Sequence, residues 1–276
     1  MSMGPQAALL AGDRLHLHHG PIDLIIGVDG PERQSCYRAA TDRFQTVLDG
    51  LVSELADLRQ PLAATTHFSN PIAHRMMRAV QPIDGVFVTP MAAVAGAVAD
   101  EVLAAMLKHH QPPKAYVNNG GDIALHLTGS ATFTVLGPAG EITVKATDPV
   151  RGIATSGWRG RSHSRGIADA VTVLARSAAA ADAAATLIAN AVDLPGHPHV
   201  TRQPASDMNP DSDLGERLVT TDVGTLSATD IRDALQNGRI FADPLIKAGH
   251  ILDVVLALQG QTETLQAPQI GAYAHA

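Results

Sequence analysis

Apolar residues between Arg33 and Arg59 (Phe44, Val47, Leu48, Leu51, Leu55 and Leu58) recur at intervals of three and four. That spacing lines one face of a helix, so an amphipathic helix is predicted there, ended by Gln60-Pro61. Ahead of it, Leu15 to Val28 holds two β-rich runs split by His19-Gly20-Pro21, the pattern of a hairpin. Pro90 stands at the first turn of an Ala-rich helix predicted from Met91 to about His109, in which Gly96 lets a neighbour come close. Tyr116-Val117 and Ile123 to Leu127 flank the turn Asn118-Asn-Gly-Gly-Asp122, and Thr132 to Leu136 and Glu141 to Lys145 continue a sheet. A polar, Arg-rich loop is read from Arg151 to Gly166, then a strand Ala170 to Leu174, then an Ala-rich helix from Ser177 to Asn190.

Between Asp193 and Leu218 the periodicity stops, and a Pro-, Asp- and His-rich excursion over the surface is expected. Ser227-Ala-Thr-Asp230 is a capping-box start for a helix to Gly238, and Asp243-Pro244 is read as opening another that reaches about Leu258. No linker divides the chain, and helices and strands interleave without strict β-α-β alternation. We therefore expect a single α+β domain over residues 1–276, with mixed or antiparallel sheets packed against helices, and two related halves left open.

With 276 residues, 45% of them hydrophobic, the chain can bury a full core. The net charge of −7 removes any global electrostatic case for nucleic acid or an anionic membrane, so an anion site has to be local. The single cysteine, Cys36, excludes an intramolecular disulfide and a Cys-based zinc site and fits a reducing compartment. The first residues show no basic n-region, long apolar h-region or lipid-attachment cysteine, so a cytoplasmic location is expected. The apolar run Met91 to Leu107 is interrupted by Asp100-Glu101 and is shorter than the ~20 residues of a bilayer span, so it is read as a buried helix. His16 and His18 share a strand face without an acidic partner at ligand spacing and are read as a coincidence of alternation.

Three segments carry candidate chemistry. On the Ala-rich helix Asp182, Thr186 and Asn190 follow one another at i, i+4 and i+8, a polar stripe in otherwise small, apolar surroundings. A carboxylate and a hydroxyl at that spacing suit a hard cation that keeps waters for a phosphate, as magnesium does. The plainer alternative makes Asp182 a solvated or Arg-paired surface group, with Thr186 bonding back to a helix carbonyl. In Asn118-Asn119-Gly120-Gly121-Asp122 the glycines let backbone approach a ligand, although the same residues also make an ordinary hairpin turn. From Arg151 to Gly166, Arg151, Arg159, Arg161 and Arg165 with Thr155, Ser156, Gly157, Ser162 and Ser164 can cradle a diphosphate. Trp158, the only tryptophan, can stack on a planar ring there or serve as a core anchor.

Asn-Gly-Gly-Asp, then Ala154-Thr-Ser-Gly157, then Ala170-Val-Thr-Val-Leu-Ala175 and Ala181-Asp-Ala-Ala-Ala-Thr186 resemble, in order and spacing, the ApbE superfamily of flavin transferases over roughly residues 85 to 195. Met91 to Ala97 and Gly160-Arg-Ser-His-Ser-Arg-Gly166 look closer still to a small cytoplasmic branch of it whose activity is unassigned. The resemblance implies a T-fold-like domain and an enzyme that uses FAD and Mg2+ to attach FMN through a phosphoester to a Thr or Ser of an acceptor protein. Asp182 and Thr186 match the family's metal ligands; Gly120, Gly121 and Asp122 match the turn beside the flavin nucleotide; Thr155, Ser156 and Gly157 match its Thr-Ser-Gly loop. The family's His-Ile-Asp-Pro-x-Thr-Gly segment is absent, and Ser162 to Asp169 stands in its place.

The expectation is a magnesium-dependent transferase or diphosphate-cleaving enzyme acting on FAD or a related cofactor. Asp182 and Thr186 would hold the metal, Arg159, Arg161 and Arg165 the phosphates, Asn118, Asn119 and Trp158 further parts of the cofactor, and His163 or Asp169 would move a proton. The alternatives are a non-catalytic protein that binds a flavin or pterin on the same fold, and a structural subunit whose Ala-rich helices form an oligomer interface. Expected partners are a diphosphate-bearing small molecule and an acceptor protein, with self-association open and neither nucleic acid nor membrane.

Overall fold

The computed structural model describes residues 4–160 and 162–266. Nine strands form one antiparallel sheet in the order β1 (Gln6–Leu10), β2 (Arg14–His19), β3 (Ile22–Asp29), β4 (Lys114–Asn119), β5 (Asp122–Leu127), β8 (Gly152–Ser156), β9 (Ala170–Ala175), β12 (Asp253–Leu258) and β13 (Gln261–Gln266). Two separate hairpins, β6 (Thr132–Gly137) with β7 (Gly140–Lys145) and β10 (Val200–Pro204) with β11 (Leu218–Val223), complete the strands among the described residues. The helices are α1 (Arg33–Phe44), α2 (Val47–Val52), α3 (Leu55–Leu58), α4 (Pro71–Val80), a 3-10 turn at Pro90–Ala93, α5 (Val94–Leu107), α6 (Ala178–Ala191), α7 (Ala205–Met208) and α8 (Ala228–Lys247).

The chain order β2-β3, helices, β4-β5 is repeated as β8-β9, helices, β12-β13, and each set of four strands is contiguous in the sheet. This is an α+β fold of two related halves. Strand alternation assigns the two faces. On β5, Ala124 joins the large core with the helices, while Ile123, Leu125 and Leu127 join a smaller cluster under the β6-β7 hairpin with Ile142 and Val144.

Alanine and glycine let the two central helices meet closely. A Cβ on Gly96 of α5 would lie 2.2 Å from the Ala178 carbonyl oxygen, and one on Gly152 of β8 would lie 2.1 Å from the Ser177 carbonyl carbon. The helices also exchange caps. Asp100 of α5 accepts from the amides of Ala178 and Ala179 (3.0 and 2.9 Å), and Asp182 of α6 accepts from the amide of Gly96 (2.9 Å). Each carboxylate thereby satisfies amides that a helix start leaves without partners. Pro90–Leu107 is long and apolar enough by composition to cross a membrane, and 50% of it is buried inside the fold.

Several predicted boundaries change. The helix expected from Arg33 to Arg59 is three short ones, because Glu54 is drawn to the Ser69 amide and hydroxyl (2.7 and 2.6 Å) and Gly50 packs on Asn70. Part of the Arg-rich loop is strand β8, which pairs with β9 through the whole of Gly152–Ser156. The two helices expected after Ser227 are one, since α8 runs through Pro244 to Lys247. The run that follows is strand β12, buried along its whole length, a case in which an unbroken apolar stretch has no period to separate strand from helix. Pro71–Val80, where no helix is predicted, forms α4, and the excursion after Asp193 carries β10, α7 and the start of β11.

Candidate functional site

The β4-β5 turn is a two-residue hairpin closed by the pair Asn119 and Asp122, with Gly120 and Gly121 at φ 66° and 119°. The Asn118 side chain accepts from the Gly121 amide (2.8 Å), and the buried Asn119 donates to the Ala95 carbonyl (3.1 Å). Asn118 thus closes the turn and Asn119 ties it to the start of α5, which brings Asp122 to the same cavity as Asp182. Here a cavity of about 550 Å³ opens. Asp122, Asp182, Thr186, His163 and Arg165 line it together with Ser162, Asn190, Arg59 and Phe87.

The electrostatics of this wall are unusual. Burial pushes the Asp122 carboxyl up to about 7, against the opposing effect of the Thr155 amide that donates to it. Burial and then the Asp122 charge hold Asp182 well above the ordinary carboxylate range, although the amides of Gly96 and Ala95 favour its ionised form. Two carboxylates from segments far apart in sequence therefore face one another in a poorly solvated place. The surface-exposed reading of Asp182 is corrected: it lies in the fold, and it caps α5. Among the described residues no group of three or more His, Cys, Asp and Glu side chains could hold a metal by itself. Two carboxylates and a hydroxyl form an all-oxygen donor set that fits Mg2+, which takes one or two carboxylates and fills the rest of its shell with waters and phosphate oxygens.

The remaining predicted residues divide. Thr155 and Thr172 bond through their hydroxyls (2.8 Å) across β8 and β9, and Gly157 packs against the carbonyls of Ala168 and Asp169, so the Thr-Ser-Gly segment lies outside the cavity lining and reaches the site through the Thr155 amide on Asp122. Ser156 ends β8, outside the cavity lining. Arg159 is turned away from the cavity, paired with Asp169 (3.1 Å) and lying 4.4 Å from the Trp158 ring centroid. Asp169 accepts from the Gln259 amide as well (2.6 Å), which makes it a strut between the loop and the β12-β13 turn. Trp158 packs on the core, and Arg151 turns to the carbonyls of Ala146 and Asp148. Arg161 lies outside the described residues.

Other contributors carried weaker signals. Thr89, at 2% exposure, caps the 3-10 turn through the Met91 amide and donates to Asp213, which brings Asn209 to Leu214 over the cavity. The Thr-Pro pair is a readable helix start. Its partner in an aperiodic stretch is not.

The profile of the family described as AbpE bacteria matches residues 6–264. The chain belongs to that family. It is also similar to the "UPF0280 protein" of Methanopyrus kandleri, 35% identical over 61% of this chain and 69% of the relative, and to that of Methanothrix thermoacetophila, 39% identical over 44% and 52%. The match thus spans about half of the second relative's length. Among solved structures, the flavin transferase ApbE of Vibrio cholerae aligns at 14% identity and TM-score 0.46 over 96% of this chain and 98% of that one. The apo flavinyl transferase ApbE of Pseudomonas stutzeri aligns at 12% and 0.48 over 97% and 96%.

Proposed function

We propose that this AbpE-family chain is a magnesium-dependent enzyme that cleaves or transfers across a phosphoanhydride, with FAD as the first substrate to test and flavin transfer to a protein hydroxyl as the full reaction. The observation that carries the reading is the convergence of Asp122 and Asp182 with Thr186 on one cavity wall, both carboxyls raised by burial and Asp182 further by the Asp122 charge. Such a pair is costly unless a proton or a cation lies between the charges. Bound there, Mg2+ would neutralise phosphate charge and favour departure of the nucleotide.

The protein's own groups supply position. Asp182 is fixed by the α5 amides, Asp122 by the Gly-Gly turn and the Thr155 amide, and Thr186 stands one turn from Asp182. In the transfer, an acceptor hydroxyl oxygen attacks the FMN-side phosphorus, the anhydride P–O bond breaks, AMP leaves with the bonding electrons, and the hydroxyl proton passes to a base. His163 lines the cavity and can take that proton, whereas Asp169 is engaged by Arg159 and the Gln259 amide. The segment Ser162 to Asp169, which replaces the Asp-Pro segment of typical members, favours a second reading, in which the cavity binds a flavin or pterin without turning it over.

Purified protein incubated with FAD, with MgCl₂ or EDTA, separates the two. The transferase reading expects AMP that appears only with magnesium and falls at least a hundredfold in Asp182→Asn and Asp122→Asn. FAD binding without AMP in the presence of both metal and a Thr- or Ser-bearing acceptor would leave the binding reading in its place.

A further inference from the structure

Beside the C-terminal end of α6 lies a second cavity of about 420 Å³. It shares Phe87, Arg165, Leu187 and Asn190 with the first, so the two are adjoining chambers along one helix face. From Asp182 to Asn190 that face runs ~12 Å at the α-helical rise, which separates the carboxylate pair from this second chamber.

Its chemistry differs from that of the first. Val86, Phe87, Leu187, Pro195, Leu218 and Phe241 give apolar walls. Phe87 is held in place by the Arg217 guanidinium, 3.3 Å from its ring centroid. The charged side chains of the lining are Arg165, Arg202 and Asp193. Asp193 forms an ion pair with Arg202 and also feels the charge of Arg165, so among the described residues the lining carries one positive charge in excess.

Arg165 is held ready without a partner for part of its side chain. Its backbone amide donates to Asn190 Oδ1 (2.8 Å), Ser164 is tied to the same oxygen (3.2 Å), and the Ser164 carbonyl accepts from Thr220 of β11 (2.8 Å). Its Nε is buried with no hydrogen-bond partner among the described residues. A buried guanidinium donor left unmatched costs free energy that an anion would recover. We infer that the second cavity is an aromatic-anion subsite: Arg165 takes a phosphate or carboxylate, and the walls around Phe87 and Phe241 take the ring that carries it. The arrangement of a few polar groups in an apolar cavity is that of a small-molecule site. It does not depend on the metal reading of the first chamber.

The test uses 1-naphthyl phosphate against 1-naphthol, titrated into the full chain in EDTA and followed by naphthyl fluorescence and calorimetry. The phosphate is expected to bind at least tenfold more tightly than the alcohol. Arg165→Gln should bring it down to the level of the alcohol, and Arg165→Lys should keep part of the preference. Phe241→Ala should weaken both ligands alike. Equal affinity of the two probes for the wild-type protein, or a preference unchanged in a folded Arg165→Gln, would overturn the subsite. If Arg165→Gln does not fold, the wild-type comparison together with Arg165→Lys decides. Because no magnesium or FAD is present, this outcome is separate from that of the AMP assay.

Discussion

A carboxyl that stays protonated in the folded chain but not in the unfolded one makes stability fall as pH rises. Asp122 and Asp182 are such groups, the first with its carboxyl near 7. Unfolded, both release their protons near the ordinary pKa of ~4. Between ~4 and 7 the folded state therefore binds more protons, and metal-free stability should decline through that window as Asp122 titrates, with Asp182 adding to the decline in the same direction. Magnesium needs the ionised carboxylates, so its effect has the opposite slope: the rise in Tm on adding MgCl₂ should be small at pH 5 and large at pH 8. Scanning fluorimetry at the two pH values checks this, and an equal response at both would remove Asp122 and Asp182 from the proposed metal site. Substitutions at Asp182 refine the point. Asp182→Ala removes an acceptor from the start of α5 and should cost about 1–2 kcal/mol in metal-free denaturant unfolding. Asp182→Asn keeps an acceptor, drops the charge and should cost less at pH 8. This part of the site was legible because an acidic residue and a threonine at i and i+4 stand out in a poly-Ala helix. The roles of Arg159 and Asp169 were not, because an ion pair with each other and a bond to an amide in the β12-β13 turn depend on a neighbour brought in from residue 259.

At the scale of elements, the α5-α6 contact gives the sharpest mutational contrast. Gly96→Ala would drive a Cβ into the Ala178 carbonyl, where backbone cannot give way cheaply, and should destabilise by about 2 kcal/mol or more. Gly121→Ala meets no atom within 4 Å and is strained only by its positive φ, so a smaller loss of about 1–2 kcal/mol is expected. Urea unfolding of both variants tests the ordering; a Gly96 variant as stable as wild type would mean that the helices stand further apart than described. The sequence signalled these elements wherever a period or a cap was strong. The Ser227-Asp230 capping box appears where the pattern placed it, and the helix expected from Ser177 is capped there by the Ser177 side chain, which accepts from Ala180. It failed where local signals competed with tertiary ones. Asp243-Pro244 resembles a helix start, yet in α8 the preceding turns continue through Pro244, and the helix ends instead near Gly249 at φ 74°.

For the whole molecule, the decisive event is the return of the chain to its own beginning. Thr89, ahead of α5, meets Asp213 across 124 positions of sequence, and this contact holds the segment Asn209 to Leu214 over a cavity whose floor is the junction of the two halves. No local pattern could announce it, since the segment has no period and its partner is a lone buried hydroxyl. Thr89→Val should keep the volume and β-branching of the side chain but leave Asp213 without its donor. The expected result is faster amide exchange confined to residues 209–214, with the protection of α5 and α6 unchanged, because those helices are anchored by their exchanged caps and by core packing. Hydrogen–deuterium exchange with mass spectrometry reads both regions in one experiment. Faster exchange throughout the chain would instead make Thr89 a support of the global fold, and unchanged exchange over 209–214 would show that β10, β11 and α7 hold the segment in place without it.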